Sequence, residues 1–477
     1  MKTKNLLTSL ICLLLMLSTV LVSCGEGANQ GQATGEPTTE ATTGVTTDAT
    51  TEATTEATTE ATTEATTEAT TVATGADGFP LIPTGLTAEI IGEDNQILAR
   101  LVDDPITVEI YNGVTIDLHY QGWPTVCTNA DGSVIYAVSS VRNAHIDIFG
   151  AIGFTKSTDG GKTWEPLRII KDTPLDDRDS GIVDLGNGHL MVTWFTHDAS
   201  RYTEDGIPEN AKFQTYRKAL TEQQLTAVDA RLAALSGADA LGASYVMHSL
   251  DGGQTWGEPI VIPVTTPHGA TLANDGKTLI CAGTRWGAAG KQLASGYAHI
   301  VVSTDGGYTW QPRSGVNVIG FKGACEAHII QLRNGGFLCA FRYAVTVGSN
   351  TNALATAIST SADGIDWTAP VPMTDINQEN GAPPHLLELD NGVVVLTYGR
   401  RLTPTGIRAR LSYDGGKTWT KEIVLAVSDT YGKADLGYPS TVQLADGTLL
   451  TAYYQPKGND GYCSFLFVKW QLTAKTD

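Results

Sequence analysis

Six short stretches of the chain put residues that can move protons or hold anions at the start of an apolar run. They are Gly122-Trp123-Pro124, Arg178-Asp179-Ser180, His268-Gly269, Glu326-Ala327-His328, Pro384-His385 and Gly437-Tyr438-Pro439. A strand start needs none of these residue types for its own sake. Carboxylates, histidines and tyrosine are the common acid–base groups, and arginine holds anions through paired, charge-assisted hydrogen bonds. Brought into one funnel, the six stretches meet the usual criteria for a site.

Two repeats supply the elements that would bring them together. Ser-x-Asp-Gly-x-x-Thr-Trp, or a close variant, begins at Ser157, Ser249, Ser303, Ser361 (a clipped copy) and Ser412. Its Asp-Gly-Gly core suits a tight turn whose glycines take positive φ, and its Trp can fold back as an apolar plug. Between these copies lie apolar strands joined by Asp131-Gly132, Asn187-Gly188, Asp275-Gly276, Asn334-Gly335, Asn391-Gly392 and Asp446-Gly447, each a hairpin signal. Six hairpins interleaved with five turn motifs give an all-β, six-bladed β-propeller with four strands per blade. Its inner strands start near one axis, which is how the six stretches would converge. The last blade is expected to close by pairing Phe465 to Leu472 with an N-terminal strand such as Thr107 to Tyr111. Thr221 to Leu235 carries Leu and Ala at helical spacing and reads as a short helix inserted in blade 2.

The turn motif resembles the Asp-box, or BNR repeat, of sialidase-like propellers, where it is structural and lies away from the active site. Over roughly Tyr120 to Leu472 the match to sialidases becomes specific. Glu326 and Arg342 stand in a strand–hairpin–strand frame like that of the sialidase glutamate and arginine, and Gly437-Tyr438-Pro439-Ser440 resembles the segment holding the family's nucleophilic tyrosine. Arg142 and Asp147 look like a first-blade arginine and acid/base aspartate. Arg408 sits near the place of another carboxylate-binding arginine, with Arg401 and Arg410 as competitors. The resemblance implies Tyr438 as nucleophile, Glu326 as its base, Asp147 as acid/base, and Arg342 and Arg408 as clamps on a substrate carboxylate. A tyrosine nucleophile suits a sugar whose anomeric carbon bears a carboxylate, which would repel a second carboxylate. One departure stands out: the family's first-blade Arg-Ile-Pro is Gly122-Trp123-Pro124 here. Arg178, beside Asp179, is placed to reach the same space, and Trp123 to wall the site or stack on a sugar. His268, His328 and His385 complete the expected substrate-binding set, while His145 and His197 fall nearby and His145 offers an alternative proton donor.

The ends of the chain speak to location. Residues 1–23 read as a lipoprotein signal peptide ending in Leu21-Val22-Ser23-Cys24-Gly25, which resembles a lipobox with Cys24 as the lipidated residue. Residues 24–78 form a Thr/Glu/Ala-rich tether without aromatic or basic residues, expected to stay extended and solvated, leaving 79–477 as the propeller. The tether's ten acidic residues account for half of the net charge of −20, so attraction of an anionic substrate must be local. No basic tract suits nucleic acid, and Cys127, Cys281, Cys325, Cys339 and Cys463 have neither disulfide nor zinc-site spacing. The chain is expected to need no cofactor or metal and to be a monomer on the outer face of a bacterial envelope. Its expected function is removal of terminal sialic or related acidic sugars from glycans. A glycosidase or lyase acting on uronic-acid glycans is the alternative, and a non-catalytic glycan-binding lipoprotein comes third.

Overall fold

The computed structural model describes residues 82–203, 219–347, 350–373, 380–428, 435–458 and 462–474. The signal peptide, Cys24 and the tether lie outside the described residues. Six antiparallel sheets follow one another along the chain and form the six blades of a β-propeller. Blade 1 is Tyr120–Thr128, Ile135–Arg142, Ala151–Ser157 and Arg168–Lys171. Blade 2 is Asp177–Asp184, Leu190–Thr196, Ser244–Ser249 and Ile260–Ile262. Blade 3 centres on Leu279–Arg285 and Tyr297–Ser303, and blade 4 on Cys325–Gln331, Phe337–Val347 and Asn350–Ser361. Blade 5 runs Asn380–Glu388, Val394–Arg400, Gly406–Ser412 and Ile423–Val427. Blade 6 contains Gly437–Gln443, Leu449–Pro456 and Cys463–Ala474. The core lies between neighbouring blades, as where Ile135, Ala137 and Val126 of blade 1 pack on Leu450, Ala452 and Phe465 of blade 6.

The ring closes through the N-terminus, but with a different strand from the one expected. Leu86–Ile90 pairs with Cys463–Ala474, Leu86 opposite Ala474 and Ile90 opposite Trp470. Thr107 to Tyr111 instead belongs to a separate hairpin, Ile106–Tyr111 with Val114–Leu118, closed by Asn112 (φ 45°) and Gly113 (φ 80°). That positive-φ pair folds the segment back on itself and satisfies its edge locally. The inserted helix spans Glu222–Ala234, between the second and third strands of blade 2, with Thr221 and Gln224 forming a reciprocal capping box. Its Ala227 and Val228 pack into one cluster with Ile110, Ile116 and Leu118 of the hairpin.

The four full Asp-boxes share one Ser–Asp–Thr bonding scheme. In the third, Asp305 accepts from Ser303 Oγ (2.7 Å), Thr309 N (2.9 Å) and Thr309 Oγ1 (2.6 Å), while Gly307 N donates to Ser303 Oγ (2.8 Å). Trp310 Nε1 donates to Gly307 O at 2.9 Å, so the Trp does fold over the turn. In the clipped copy Asp363 still accepts from Ser361 Oγ (3.0 Å), but Trp367 Nε1 turns to Ser314 Oγ (3.1 Å) of the preceding blade.

Candidate active site

The inner strand of four blades breaks register at the same point. The shifts fall between Gly122 and Thr125, Arg178 and Gly181, Cys325 and His328, and Gly437 and Ser440. Inside each bulge one non-glycine residue takes left-handed φ: Trp123 (50°), Asp179 (52°), Glu326 (52°) and Tyr438 (51°). Such residues cost on the order of 1–3 kcal/mol each and cluster where side chains must be re-aimed for function. Here the bulges bring all four side chains into a single cleft of ≈ 320 Å³, walled also by His145, Arg178, Arg342 and Arg401 and, on its apolar side, by Phe195 and Trp286. That volume sits at the small end of the range for ligand sites, roughly 300–1,000 Å³.

At the head of the cleft Tyr438 Oη donates to Glu326 Oε1 at 2.7 Å, and Arg342 Nη2 pairs with the same oxygen at 2.7 Å. Burial pushes the Tyr438 phenol well up, and the charges of Glu326 and Asp179 add to this against the opposing pull of Arg342. Tyr438 therefore keeps its proton at rest, and a base must take it as the oxygen becomes a nucleophile. Glu326 is in place to do so. Arg342 Nε also donates to Cys325 Sγ (3.3 Å), whose thiol burial lifts to about 11. Arg401 reaches the cleft from the end of the second strand of blade 5, its Nε donating to Leu436 O (2.9 Å) and its Nη2 to Tyr454 Oη (3.4 Å).

The floor is formed by blade 2. Arg178 lies over the Trp123 ring (4.3 Å to its centroid) and is held by Asp176 Oδ2 (3.2 Å) and Asp179 Oδ1 (3.7 Å). Burial raises the Asp179 carboxyl to about 7, with Arg178 opposing and Glu326 reinforcing the rise. Arg178 Nε, Asp179 Oδ1 and Glu326 Oε2 are buried without hydrogen-bond partners. The first two face each other as an ion pair too long for a hydrogen bond, so Glu326 Oε2 is the orphaned atom that suits a polar ligand. At the opposite wall His145 Nδ1 lies 3.0 Å from Asp435 Oδ1, and Tyr120 Oη donates to Asp435 Oδ2 at 2.8 Å.

Several expected residues are placed elsewhere. Asp147 is fully buried, its oxygens accepting the amides of Asn143 (2.5 Å) and Phe149 (2.9 Å), so it closes its own loop and is absent from the cleft walls. Arg142 is also fully buried, with its guanidinium 4.4 Å from the Trp123 ring centroid and Nη2 bound to Asp176 Oδ1 (2.6 Å), Ser140 Oγ (2.8 Å) and Asp177 O (2.9 Å). Arg408 points into blade 5, bonded to Glu422 and to the carbonyls of Ile407, Ala426 and Pro404, whereas Arg401 lines the cleft. Arg410 bonds Tyr398 Oη and Thr420 O. His268, His328 and His385 pack together behind Tyr438, with ring centroids 4.4–5.5 Å apart, and do not line the cleft. Burial holds all three neutral, His328 down to about 3. Among the described residues no group of His, Cys, Asp and Glu is arranged to hold a metal ion.

Sequence reasoning missed the bulges and the His145–Asp435 pair. Trp123, Asp179 and Tyr438 each stand second in their stretch, and that shared offset was the available signal. Nothing in the sequence ties Asp435 to His145, 290 positions away.

The BNR repeat-like domain family matches residues 232–451. No curated protein sequence matches the chain. Among solved structures, a Dyadobacter fermentans protein of unknown function is similar over 82% of this chain and 100% of its own, at 20% identity and a TM-score of 0.58. The NanB sialidase of Streptococcus pneumoniae is similar over 80% of this chain and 71% of its own, at 14% identity and a TM-score of 0.54. A Trypanosoma rangeli sialidase, solved as a covalent intermediate with 2,3-difluorosialic acid, is similar over 82% of this chain and 59% of its own, at 14% identity and a TM-score of 0.50. The BNR match covers less than half of the chain, and the blade order and the solved structures together give a six-bladed β-propeller with the fold of the sialidases.

Proposed function

We propose that this protein is a retaining exo-glycosidase that removes a terminal sialic acid or a related acidic nonulosonic sugar, held at the cell surface through a lipidated Cys24. The observation that carries the reading is the Tyr438–Glu326–Arg342 cluster at the head of a small, polar-floored cleft. In the first half-reaction Tyr438 Oη bonds to the anomeric carbon as the glycosidic C–O bond breaks, and its phenolic proton passes to Glu326. In the second, water displaces Tyr438 and Glu326 returns the proton, so two inversions give net retention. Arg342 and Arg401 grip the substrate carboxylate, and Arg178 and Asp179 bond the ring substituents at the floor.

The rival is a lyase or glycosidase for uronic-acid glycans. It is favoured by Gly122-Trp123 standing where sialidases carry an arginine, and by the tie of Arg178 to Asp176 and Asp179. Turnover of a fluorogenic α-sialoside supports the first reading. Failure on that substrate, together with an unsaturated product absorbing in the near ultraviolet from an acidic polysaccharide, replaces it with the second.

A further inference from the structure

Retaining hydrolysis needs a group that protonates the leaving oxygen and later deprotonates water. Asp147, expected in that role, is spent inside its own loop. Besides the nucleophile pair and the arginines, the walls carry Asp179, His145, His197 and Cys325. Burial, with Arg178 and Arg201 beside it, holds His197 neutral, and Cys325 is bonded to Arg342 with its thiol lifted by burial, which leaves Asp179 and His145. Their positions differ. The Asp179 side chain is 6% exposed and packs against Arg178 at the floor, where the sugar ring would sit. The His145 side chain is 26% exposed and that of its partner Asp435 34%, which puts the pair at the open side of the cleft, where an aglycone must leave.

The surroundings of Asp435 are those of a positioning carboxylate. It receives hydrogen bonds from Tyr120 Oη (2.8 Å) and Tyr454 Oη (3.1 Å) and holds His145 Nδ1 at 3.0 Å. The neighbouring His145 and Arg401 keep it charged. The His145 ring stands edge-on to Trp123 at 5.2 Å, and Trp123 to Tyr438 at 6.2 Å, so one indole separates the imidazole from the nucleophile. Arg142 Nη1 donates to the His145 carbonyl at 3.4 Å and fixes the loop from below. A histidine whose Nδ1–H is committed to a carboxylate carries its exchangeable proton on Nε2, and the carboxylate both orients the ring and stabilises its protonated form.

We propose that His145, oriented by Asp435, is the general acid and base of this cleft, in place of an aspartate. The assignment rests on the exo-glycosidase reading above. Protonated His145 gives its Nε2 proton to the glycosidic oxygen as that C–O bond breaks and the Tyr438 bond forms. Neutral Nε2 then takes a proton from the attacking water as the bond to Tyr438 breaks, which restores the starting charge state. His145 is the catalytic residue and Asp435 a positioning one.

The test uses two α-sialosides on the full chain: an aryl glycoside, whose phenolate departs with little help, and sialyllactose, whose sugar alkoxide cannot. Loss of a general acid typically costs 10²–10⁴-fold. His145→Gln should lose about that much kcat/KM on sialyllactose but about tenfold or less on the aryl substrate. Azide, which needs no deprotonation, should restore turnover of the aryl sialoside. Asp435→Asn should show the same split, more weakly, and serves if His145→Gln folds poorly. Equal losses on both substrates without azide rescue would overturn the assignment while leaving the exo-glycosidase reading intact. If the wild-type chain hydrolyses neither sialoside, that reading falls and this assignment with it. If Asp179→Asn shows the leaving-group split and His145→Gln does not, the acid is Asp179.

Discussion

Arg401 and Arg408 lie seven residues apart and are placed quite differently, which gives a sharp test of the site. Arg408 is 1% exposed. Its guanidinium donates to Pro404 O (2.7 Å), Ala426 O (2.8 Å) and Ile407 O (2.9 Å) and to Glu422 Oε1 (3.2 Å). Arg408→Met keeps the buried stem but strips these acceptors of their donor. Each buried acceptor left unmade costs about 1–3 kcal/mol, and breaking a buried charged pair about 3–5. Glu422 retains Arg400 at 3.2 Å, so we expect a total of about 3–5 kcal/mol. For the roughly 360 described residues at about 2.1 cal/mol/K each, the unfolding entropy is about 0.8 kcal/mol/K, so Tm should fall by about 4–6 °C. kcat/KM per folded molecule should stay within about threefold, since no atom of Arg408 reaches the cleft. Arg401→Met should do the reverse. Losing a charge-assisted clamp worth about 3 kcal/mol lowers kcat/KM about 10²-fold, with a smaller fall in Tm than Arg408→Met. Thermal melts and initial rates on both variants decide it. An Arg408→Met protein that melts like the wild type but has lost activity would refute the placement of both arginines.

Three further outcomes follow from the structure. Ser303→Ala removes the hydroxyl that bridges Asp305 and Gly307 N in an Asp-box far from the cleft, so it should cost about 1–3 kcal/mol in denaturant titration and leave kcat unchanged. Gly181→Ala would set a Cβ 2.2 Å from Gly269 N where blades 2 and 3 meet, so it should destabilise by about 3 kcal/mol or more, and a melt within 1 °C of wild type, ~1 kcal/mol, would contradict the packing. Burial lifts the Asp179 carboxyl to about 7, so between about pH 4 and pH 7 the folded chain binds this proton more tightly than the unfolded chain, and stability falls as pH rises through that window. Asp179→Asn removes the titration and should gain about 1–3 kcal/mol on the wild type between pH 5 and pH 8; an equal Tm difference at both values would count against it.

The blade count was legible because every blade carries its own turn chemistry. Asn-Gly and Asp-Gly hairpins and the Ser–Asp–Gly–Trp motif are local signals that need no knowledge of the rest of the fold. Glu326, Arg342 and Tyr438 were legible for a related reason. Cys325 pairs opposite Arg342 in one hairpin, and that spacing is fixed by the ladder. What failed was side-chain direction beyond a single ladder. Arg408 sits on the third strand of blade 5 and Arg401 just past the second, and only the bulges and the loop after Arg400 decide which one faces the axis. Asp147 carries the right chemistry, but its oxygens are consumed by amides two and four residues away, a local competition that short polar side chains often win. His328 and His385 lie on converging strands as expected and His268 in the turn before Thr271–Leu272, yet the three fill one another's space behind Tyr438 and do not line the cleft. Leu86 to Ile90 and Thr107 to Tyr111 alternate alike, and the Asn112-Gly113 turn is what distinguishes a hairpin from a closing strand.

The central claim is that Tyr438, activated by Glu326, becomes covalently bound to the sugar. A 2,3-difluoro sialic acid tests it most directly, because the C3 fluorine slows both half-reactions while the anomeric fluoride, a good leaving group, lets the first proceed. Incubation with the full chain followed by intact-mass measurement and peptide mapping should give one added glycosyl group, on Tyr438, and none in Tyr438→Phe. A label on any other residue, or sialoside turnover that survives Tyr438→Phe, would contradict the account.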